Sequence, residues 1–404
     1  MPLFEQPEDW TFSGALTRTL THCYHDYPAR MIPQIAAHLL ERFAPQPAIL
    51  FDPYCGTGTS LVEGLIRGHE AYGTDLNPLA RLISRAKTAP LSIEALDAAI
   101  ADLEAWLQTP IRTPERLPTG IDLAFWFQPQ VIDRLEDDDL RAFFAVAFSE
   151  TVRECSNTRP DEFKLYRLPQ TRLAAHTPDV FGTLRAKIVR NREGLRQFLA
   201  AYATAPSQSR AHIHAFDSVC GIPSDQIAPQ SVQIVITSPS YGDSRTTVAY
   251  GQYSRLAAEW LGLPEAARVD RRLMGGAPLG NLPNFNVQPL DSALQQIYEQ
   301  SPSRALEVAA FYGDLCASIA NVAGVVARGG LACYIVSNRT VKGVRLPTDR
   351  AIQGFFEAHG FAHVATHRRA IPNERMPVRN SPSNKSGATE PTMLHEAIVV
   401  MRKV

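Results

Sequence analysis

Residues 48–75 read Ala48-Ile-Leu-Phe-Asp-Pro-Tyr-Cys-Gly-Thr-Gly-Thr-Ser-Leu-Val-Glu-Gly-Leu-Ile-Arg-Gly-His-Glu-Ala-Tyr-Gly-Thr-Asp75, and their order decides the fold. The apolar run 48–52 fits a buried strand, and the glycine-rich turn 53–58 ends it. The pattern over 59–68 predicts a helix, and 71–75 a second strand. A strand, a glycine turn, a helix and a strand in succession form the building block of a parallel sheet. Gly56 and Gly58 fall where strand becomes helix, so a ligand could approach the backbone closely and meet the helix N–H groups. Asp75 closes the second strand 17 residues after Gly58, near the ~20 expected of an acid that holds a ribose diol. No Gly-Lys-Ser/Thr follows the turn, which argues against a phosphate-binding loop of the nucleotide-hydrolase type.

Further strands are predicted at 212–217, 232–238, 330–337, 363–369 and 396–402, with helices at 304–327 and 348–359 among them. Such alternation implies an α/β fold with a doubly wound sheet. Between 91 and 205 the pattern is helical instead. Ile93, Leu96, Ile100, Leu103 and Leu107 share one face behind a Ser92 cap, and helical character returns at 129–155 and 180–202. We therefore divide the chain into 1–90 with 206–404, a ligand-binding catalytic domain, and 91–205, a mostly helical insertion. The proline-containing stretch 371–394 reads as a long loop.

Composition sets the outer limits. At 404 residues the chain has room for two or three domains of ~150 residues. With 45% hydrophobic and 20% charged residues it matches a globular protein rather than a disordered or low-complexity one. The densest apolar run, 142–148, is far short of the ~18 residues of a membrane span, and no secretory leader is evident, so a cytoplasmic location without membrane contact is expected. Six cysteines show no paired spacing, and eleven histidines are dispersed, so neither a disulfide framework nor a metal site is expected. The net charge is −1, yet 34 of 40 basic residues are Arg. Residues 151–196 carry ten basic against five acidic side chains, and 339–385 nine against three. Two Arg-rich regions in a near-neutral chain fit a molecule with a phosphate-facing side.

A second motif, Thr237-Ser-Pro-Ser-Tyr241, follows the apolar strand 232–237. In open α/β sheets ligands sit beyond the carboxyl ends of the strands, which puts this turn on the same edge as the glycine turn. Its hydroxyl, rigid backbone and aromatic ring could hold a planar base by hydrogen bonding and stacking.

Together these residues resemble the S-adenosylmethionine-dependent DNA amino-methyltransferases, specifically the cytosine-N4 branch. Asp52-Pro-Tyr-Cys-Gly-Thr-Gly-Thr59 is similar to their Asp-Pro-Phe-x-Gly-Ser/Thr-Gly-Thr cofactor motif. Thr237-Ser-Pro-Ser-Tyr241 is similar to their Ser/Thr-Ser-Pro-Pro-Tyr catalytic motif, in which the leading Ser marks cytosine N4. The segments 25–33, 242–251 and 371–377 look like the same group, so the resemblance covers roughly 20–90 and 210–404.

The resemblance implies a Rossmann-like methyltransferase sheet with a final antiparallel strand. It assigns S-adenosyl-L-methionine to a pocket formed by Tyr27, Pro28, Asp52, Tyr54, Gly56, Gly58, Thr59, Asp75 and Asp217. Asp75 would take the ribose hydroxyls, Asp217 the adenine amine, and Asp52 with Gly56 the methionine side. The catalytic residues would be Ser238, Pro239, Ser240 and Tyr241, acting on a cytosine flipped out of double-stranded DNA. Arg245, Arg255, Arg271 and Arg272 are candidates for DNA contact, as is the helical insertion for target recognition. The expected setting is a bacterial restriction–modification or orphan system, with any cognate restriction endonuclease a functional rather than physical partner.

One departure stands out: Ser240 occupies the place of a second proline, which loosens the turn and adds donors. Three readings stay open on the residues. They are cytosine N4 in DNA; adenine N6 in DNA or an RNA base amine; and a catalytically weak protein that binds cofactor and DNA.

Overall fold

The computed structural model describes residues 9–107, 132, 134–159, 164–242, 248–371, 379–380, 390–391 and 394–404. Seven strands form its central sheet: β1 (Ile49–Asp52), β2 (Glu70–Thr74), β3 (Ala211–His214), β4 (Val232–Thr237), β5 (Val326–Val336), β6 (Phe361–Ala370) and β7 (His395–Lys403). Their order across the sheet is β3-β2-β1-β4-β5-β7-β6. The pairings from β3 to β5 are parallel, while β7 enters between β5 and β6 antiparallel to both. The expected doubly wound sheet with a final antiparallel strand is therefore present. The chain reverses direction in strand order at β1/β4, and this is where such sheets open a crevice beyond their carboxyl ends.

The central strands are apolar throughout because both their faces are buried. On β5, Ala332, Tyr334 and Val336 enter one core cluster and Leu331, Cys333 and Ile335 the opposite one. On β7, Ala397, Val399 and Met401 alternate with Ile398 and Val400 in the same way, as a two-residue period requires. Helices α1 (Pro33–Phe43) and α2 (Thr59–Leu65) cover the second face. Helix α3 (Pro78–Thr88) follows β2 and leads toward the helical region.

Within the insertion, α4 (Ile93–Leu107), α5 (Asp138–Cys155) and α6 (Val180–Ala203) are helices as the periodicity predicts. They share one core with Tyr24 and Tyr27 and with Leu79, Ala80, Ile83 and Ala86 of α3. The segment 91–205 thus continues the catalytic domain's own packing. Helix α7 (Tyr250–Trp260) packs on α5, and α8 (Gln288–Gln300), α9 (Pro302–Val325) and α10 (Thr348–Glu357) cover the first face of the sheet. Helix α9 is long and apolar enough to cross a membrane, and 61% of its most apolar window is buried in this core. Of the long loop before β7, Arg379–Asn380 and Glu390–Pro391 pair as a short antiparallel ladder, and the remainder lies outside the described residues.

Gly58 illustrates how tightly the first unit is built. Its φ of 71° is left-handed, and a Cβ placed there would lie 2.9 Å from Ser84 Oγ and 3.2 Å from Ser84 Cα on α3. Gly58→Ala is accordingly expected to cost about 1–3 kcal/mol of stability, read from denaturant unfolding. A loss smaller than about 0.5 kcal/mol, the range of ordinary surface changes, would contradict this packing.

Candidate active site

The site forms where β1, β2 and β4 end side by side. Asp52, at the end of β1, is 3% exposed, so its carboxylate depends on hydrogen bonds for what solvent cannot supply. Tyr54 N–H donates to Oδ1 at 3.1 Å, and Thr237 Oγ1, from the end of β4, donates to the same oxygen at 2.6 Å. Ser60, in the first turn of α2, donates to Oδ2. One buried carboxylate thus joins the glycine turn to the turn that follows β4. Burial pushes its pKa up to about 6, and the three hydrogen bonds limit the rise.

Asp75 ends β2 across the cleft. Its Oδ2 accepts the Gly56 N–H at 3.0 Å and its Oδ1 the Asn77 N–H at 2.7 Å. Burial raises its pKa also, against those two backbone bonds. The bond from Gly56 holds the glycine turn in its left-handed conformation, φ 49°, and a Cβ at this position would meet nothing within 4 Å. The turn therefore leaves open space beside a half-buried carboxylate with unused lone pairs, which suits a ligand bearing a diol.

These residues line one open cleft. Tyr27, Pro28, Asp52, Tyr54, Gly56, Thr59, Asp75 and Asp217 all reach it, as do Ser238 and Ser240. The lining also holds Asp217, whose Oδ1 accepts the Val219 N–H at 3.0 Å, and the apolar side chains of Leu76, Phe216, Val219, Leu273 and Met274, with Arg30 and Met31 next to Pro28 in the chain. Apolar walls with a few acceptors suit a flat heterocycle with an exocyclic amine.

Several expected residues lie elsewhere. Gly58 faces Ser84 rather than the cleft, because its role is the close approach of α2 to α3. Pro239 and Tyr241 do not line the cleft either. The Tyr241 hydroxyl donates to Glu396 Oε1 at 2.7 Å, and its ring packs partly buried against the core of the first face. Arg272, expected on DNA, lines the cleft and pairs with Glu265. Arg255 pairs with Glu259 at 2.8 Å, Arg271 is exposed, and Arg245 lies outside the described residues. Much of the positive charge of 151–196 is spent on neighbours. Arg185 pairs with Glu104, Arg192 with Asp97, Arg196 with Glu193, and Lys187 and Arg190 with Glu150.

Two site residues escaped sequence reasoning. Tyr250, at the start of α7, stacks on Tyr27 with centroids 5.8 Å apart and planes at 14°. Asn77 caps α3 by accepting the Leu79 N–H at 3.1 Å, and its Nδ2 donates to Tyr27 Oη at 2.8 Å and Ser254 Oγ at 3.0 Å. It thereby locks three segments behind the aromatic wall. An Asn-Pro pair opening a helix was a readable signal for the cap, though not for the tyrosine.

No family profile matches the chain. It is 39% identical over 422 aligned residues to the type II methyltransferase M.MvaI of Kocuria varians, covering 97% of this chain and 93% of that protein. This chain belongs to the type II methyltransferase family. A shorter similarity, 32% over 82 residues, links the methyltransferase to type II methyltransferase M.MjaII of Methanocaldococcus jannaschii, with 20% of this chain and 16% of that one covered. The rRNA methyltransferase aviRa of Streptomyces viridochromogenes covers 93% of this chain and 86% of its own at 11% identity and a TM-score of 0.36, too distant to inform the site. The methyl donor is S-adenosylmethionine, and the cleft's donor set fits its adenosine and methionine ends.

The two carboxylates give two expectations. Asp75→Ala should weaken S-adenosylmethionine binding at least about tenfold, the loss of a charge-assisted hydrogen bond, in calorimetric titration; unchanged affinity would exclude Asp75 from the cofactor site. Asp52 binds its proton more tightly folded than unfolded, so its burial favours folding at low pH. Between its ordinary 3.8 and about 6, the wild type should lose unfolding free energy relative to Asp52→Asn as pH rises. A stability difference flat across that window would contradict the shift.

Proposed function

We propose that this methyltransferase transfers the methyl of S-adenosylmethionine to the exocyclic N4 of a cytosine flipped from double-stranded DNA within a specific site. The observation that carries this reading is the position of Ser238. Its hydroxyl lies at the cleft shared with Asp75, in a turn resembling the cytosine-N4 motif.

S-adenosylmethionine supplies a sulfonium-borne methyl that an amine can take by direct in-line displacement. The cytosine amine is a poor nucleophile because its lone pair is delocalised into the ring, so the protein's task is orientation and local electrostatics. Ser238 Oγ and the Pro239 carbonyl are the acceptors that would draw the N–H groups out of the ring plane and free the lone pair. The Tyr241 ring, packed against the core and anchored through its hydroxyl to Glu396, would hold the Ser238 turn in place, while extruding the base costs a few kcal/mol. Ring-carbon methylation would call for an attacking thiol, and the turn 237–241 has none.

Ser240 does not leave the turn slack. Its hydroxyl donates to the Gly242 carbonyl at 3.2 Å, a local bond that stands in for the missing proline constraint. This supports a working enzyme over a binding-only homologue. Arg255 and Arg271 are exposed, and the surface pair of Arg255 with Glu259 is weak enough to exchange for phosphate. The biological setting that fits is bacterial DNA modification, alone or alongside a restriction endonuclease.

Incubation with labelled S-adenosylmethionine and unmethylated DNA, followed by nucleoside analysis, tests the proposal. N4-methylcytosine is the expected product; N6-methyladenine, or methylation of RNA alone, would contradict it. Tyr241→Ala should keep cofactor affinity within about twofold and reduce transfer at least about tenfold, about 1.4 kcal/mol of barrier, because the Ser238 turn loses its anchor. Equal loss of both would place Tyr241 in the cofactor site instead.

A further inference from the structure

Behind the Ser238 turn lies a short chain of polar atoms that ends in a charged pair. Ser238 Oγ is 3.4 Å from Tyr241 Oη and 3.2 Å from the Ile335 carbonyl, to which it donates. Tyr241 Oη donates to Glu396 Oε1 at 2.7 Å, and Arg369 Nη1 donates to Glu396 Oε2 at 2.8 Å. The Arg369 and Glu396 side chains are only 5% and 14% exposed. They face each other directly across β6 and β7, in register. Removing two charges from water is costly, and a hydrophobic pair could fill the same place. The ion pair therefore invites a chemical explanation.

The geometry supplies one. The guanidinium of Arg369 holds one oxygen of Glu396, and the other oxygen accepts the tyrosine O–H. The lone pairs of Tyr241 Oη are thereby left facing Ser238. We propose that Glu396 is the terminal proton acceptor of methyl transfer, reached from the target amine through the Ser238 and Tyr241 hydroxyls, with Arg369 as its positioning residue. The inference rests on the amino-methylation reading above.

The protons balance. As the amine lone pair forms the new nitrogen–carbon bond, the old carbon–sulfur pair stays on sulfur and the nitrogen must shed one proton. Ser238 Oγ turns from the Ile335 carbonyl to Tyr241, takes that proton, and passes its own to Tyr241 Oη. The tyrosine proton moves to Glu396 Oε1, leaving one neutral carboxyl that returns its proton to solvent before the next cycle. No step requires a tyrosinate, which burial and the nearby carboxylate disfavour by raising the Tyr241 pKa well above its usual value.

The test is single-turnover methyl transfer at saturating cofactor and DNA, measured across pH for the wild type, E396Q and Y241F. Glutamine keeps the shape of Glu396 and its acceptor oxygen but cannot take the proton; phenylalanine keeps the ring but cuts the chain. Among the described residues, the groups facing Glu396 are Tyr241 from the turn after β4 and Arg369 from β6, with Asp9 acting on Arg369 from the N-terminal segment. Asp52, whose pKa burial pushes up to about 6, borders the cofactor cleft and is common to all three proteins, so only the difference in acid limb between wild type and variant is read.

Each variant should lower the transfer rate roughly a hundredfold, the usual worth of a positioned proton acceptor, with the KM for cofactor and DNA unchanged. The fall of the wild-type rate on the acid side should disappear in E396Q. An E396Q enzyme that keeps the wild-type rate would overturn the relay, as would one that is slower by the same factor at every pH with its acid limb intact. If E396Q does not fold, Y241F leaves the ion pair in place and carries the same rate and KM readouts. Product analysis separates the two levels. A methylated amine with unaffected variants overturns the relay alone, whereas a ring-carbon product overturns the site reading and the relay with it.

Discussion

The carboxylate of Asp52 holds the molecule's working parts in one place. Parallel pairing sets β1 between β2 and β4, so their carboxyl ends lie on one edge. Pairing alone does not fix the turns beyond those ends. Asp52 does so by accepting hydrogen bonds from Tyr54 in the glycine turn, Ser60 in the following helix and Thr237 185 residues further along the chain. Losing any one donor would leave a buried charge less well satisfied, at ~1–3 kcal/mol or more. The glycine turn and the turn bearing Ser238 are therefore held together as a unit.

Around this centre the fold supports the cleft from behind. Asn77 and Tyr250 fix Tyr27, and Glu150 of α5 accepts the Asp26 N–H at 3.1 Å while pairing with Arg190 of α6. Arg190 in turn donates to the Tyr24 carbonyl at 2.8 Å. The helical insertion thereby grips, through Glu150 and Arg190, the segment that forms one wall of the cleft. Its contribution, as seen here, is preorganisation of a site whose chemistry demands placement rather than reactive groups.

The sheet was legible in the sequence because its central strands are buried on both faces and so read as uninterrupted apolar runs bounded by turns. Helices α1, α3 and α8 were not read. Each carries Pro33, Pro78 or Pro289 in its first turn, where proline fits a helix although it resembles a breaker. Asp52 and Asp75 reach the cleft because they lie at the carboxyl ends of β1 and β2, and Asp217 because it follows β3 on the same edge, three residues beyond the strand's end. The link from Tyr241 to Glu396 spans 155 residues and obeys no local period, so nothing in the sequence announces it. Charge counting has a similar limit: Arg192 pairs with Asp97, which lies outside the window 151–196, so the excess counted within that window overstates the charge left unpaired after folding.

A crystal structure of the protein with S-adenosylmethionine and a DNA duplex tests the central claim most directly, since one shared cleft is what the account requires. It predicts the ribose hydroxyls on Asp75 and the sulfonium carbon directed at a swung-out cytosine held by Ser238. A donor bound away from Asp75, or a base lodged where Ser238 cannot reach it, would contradict it.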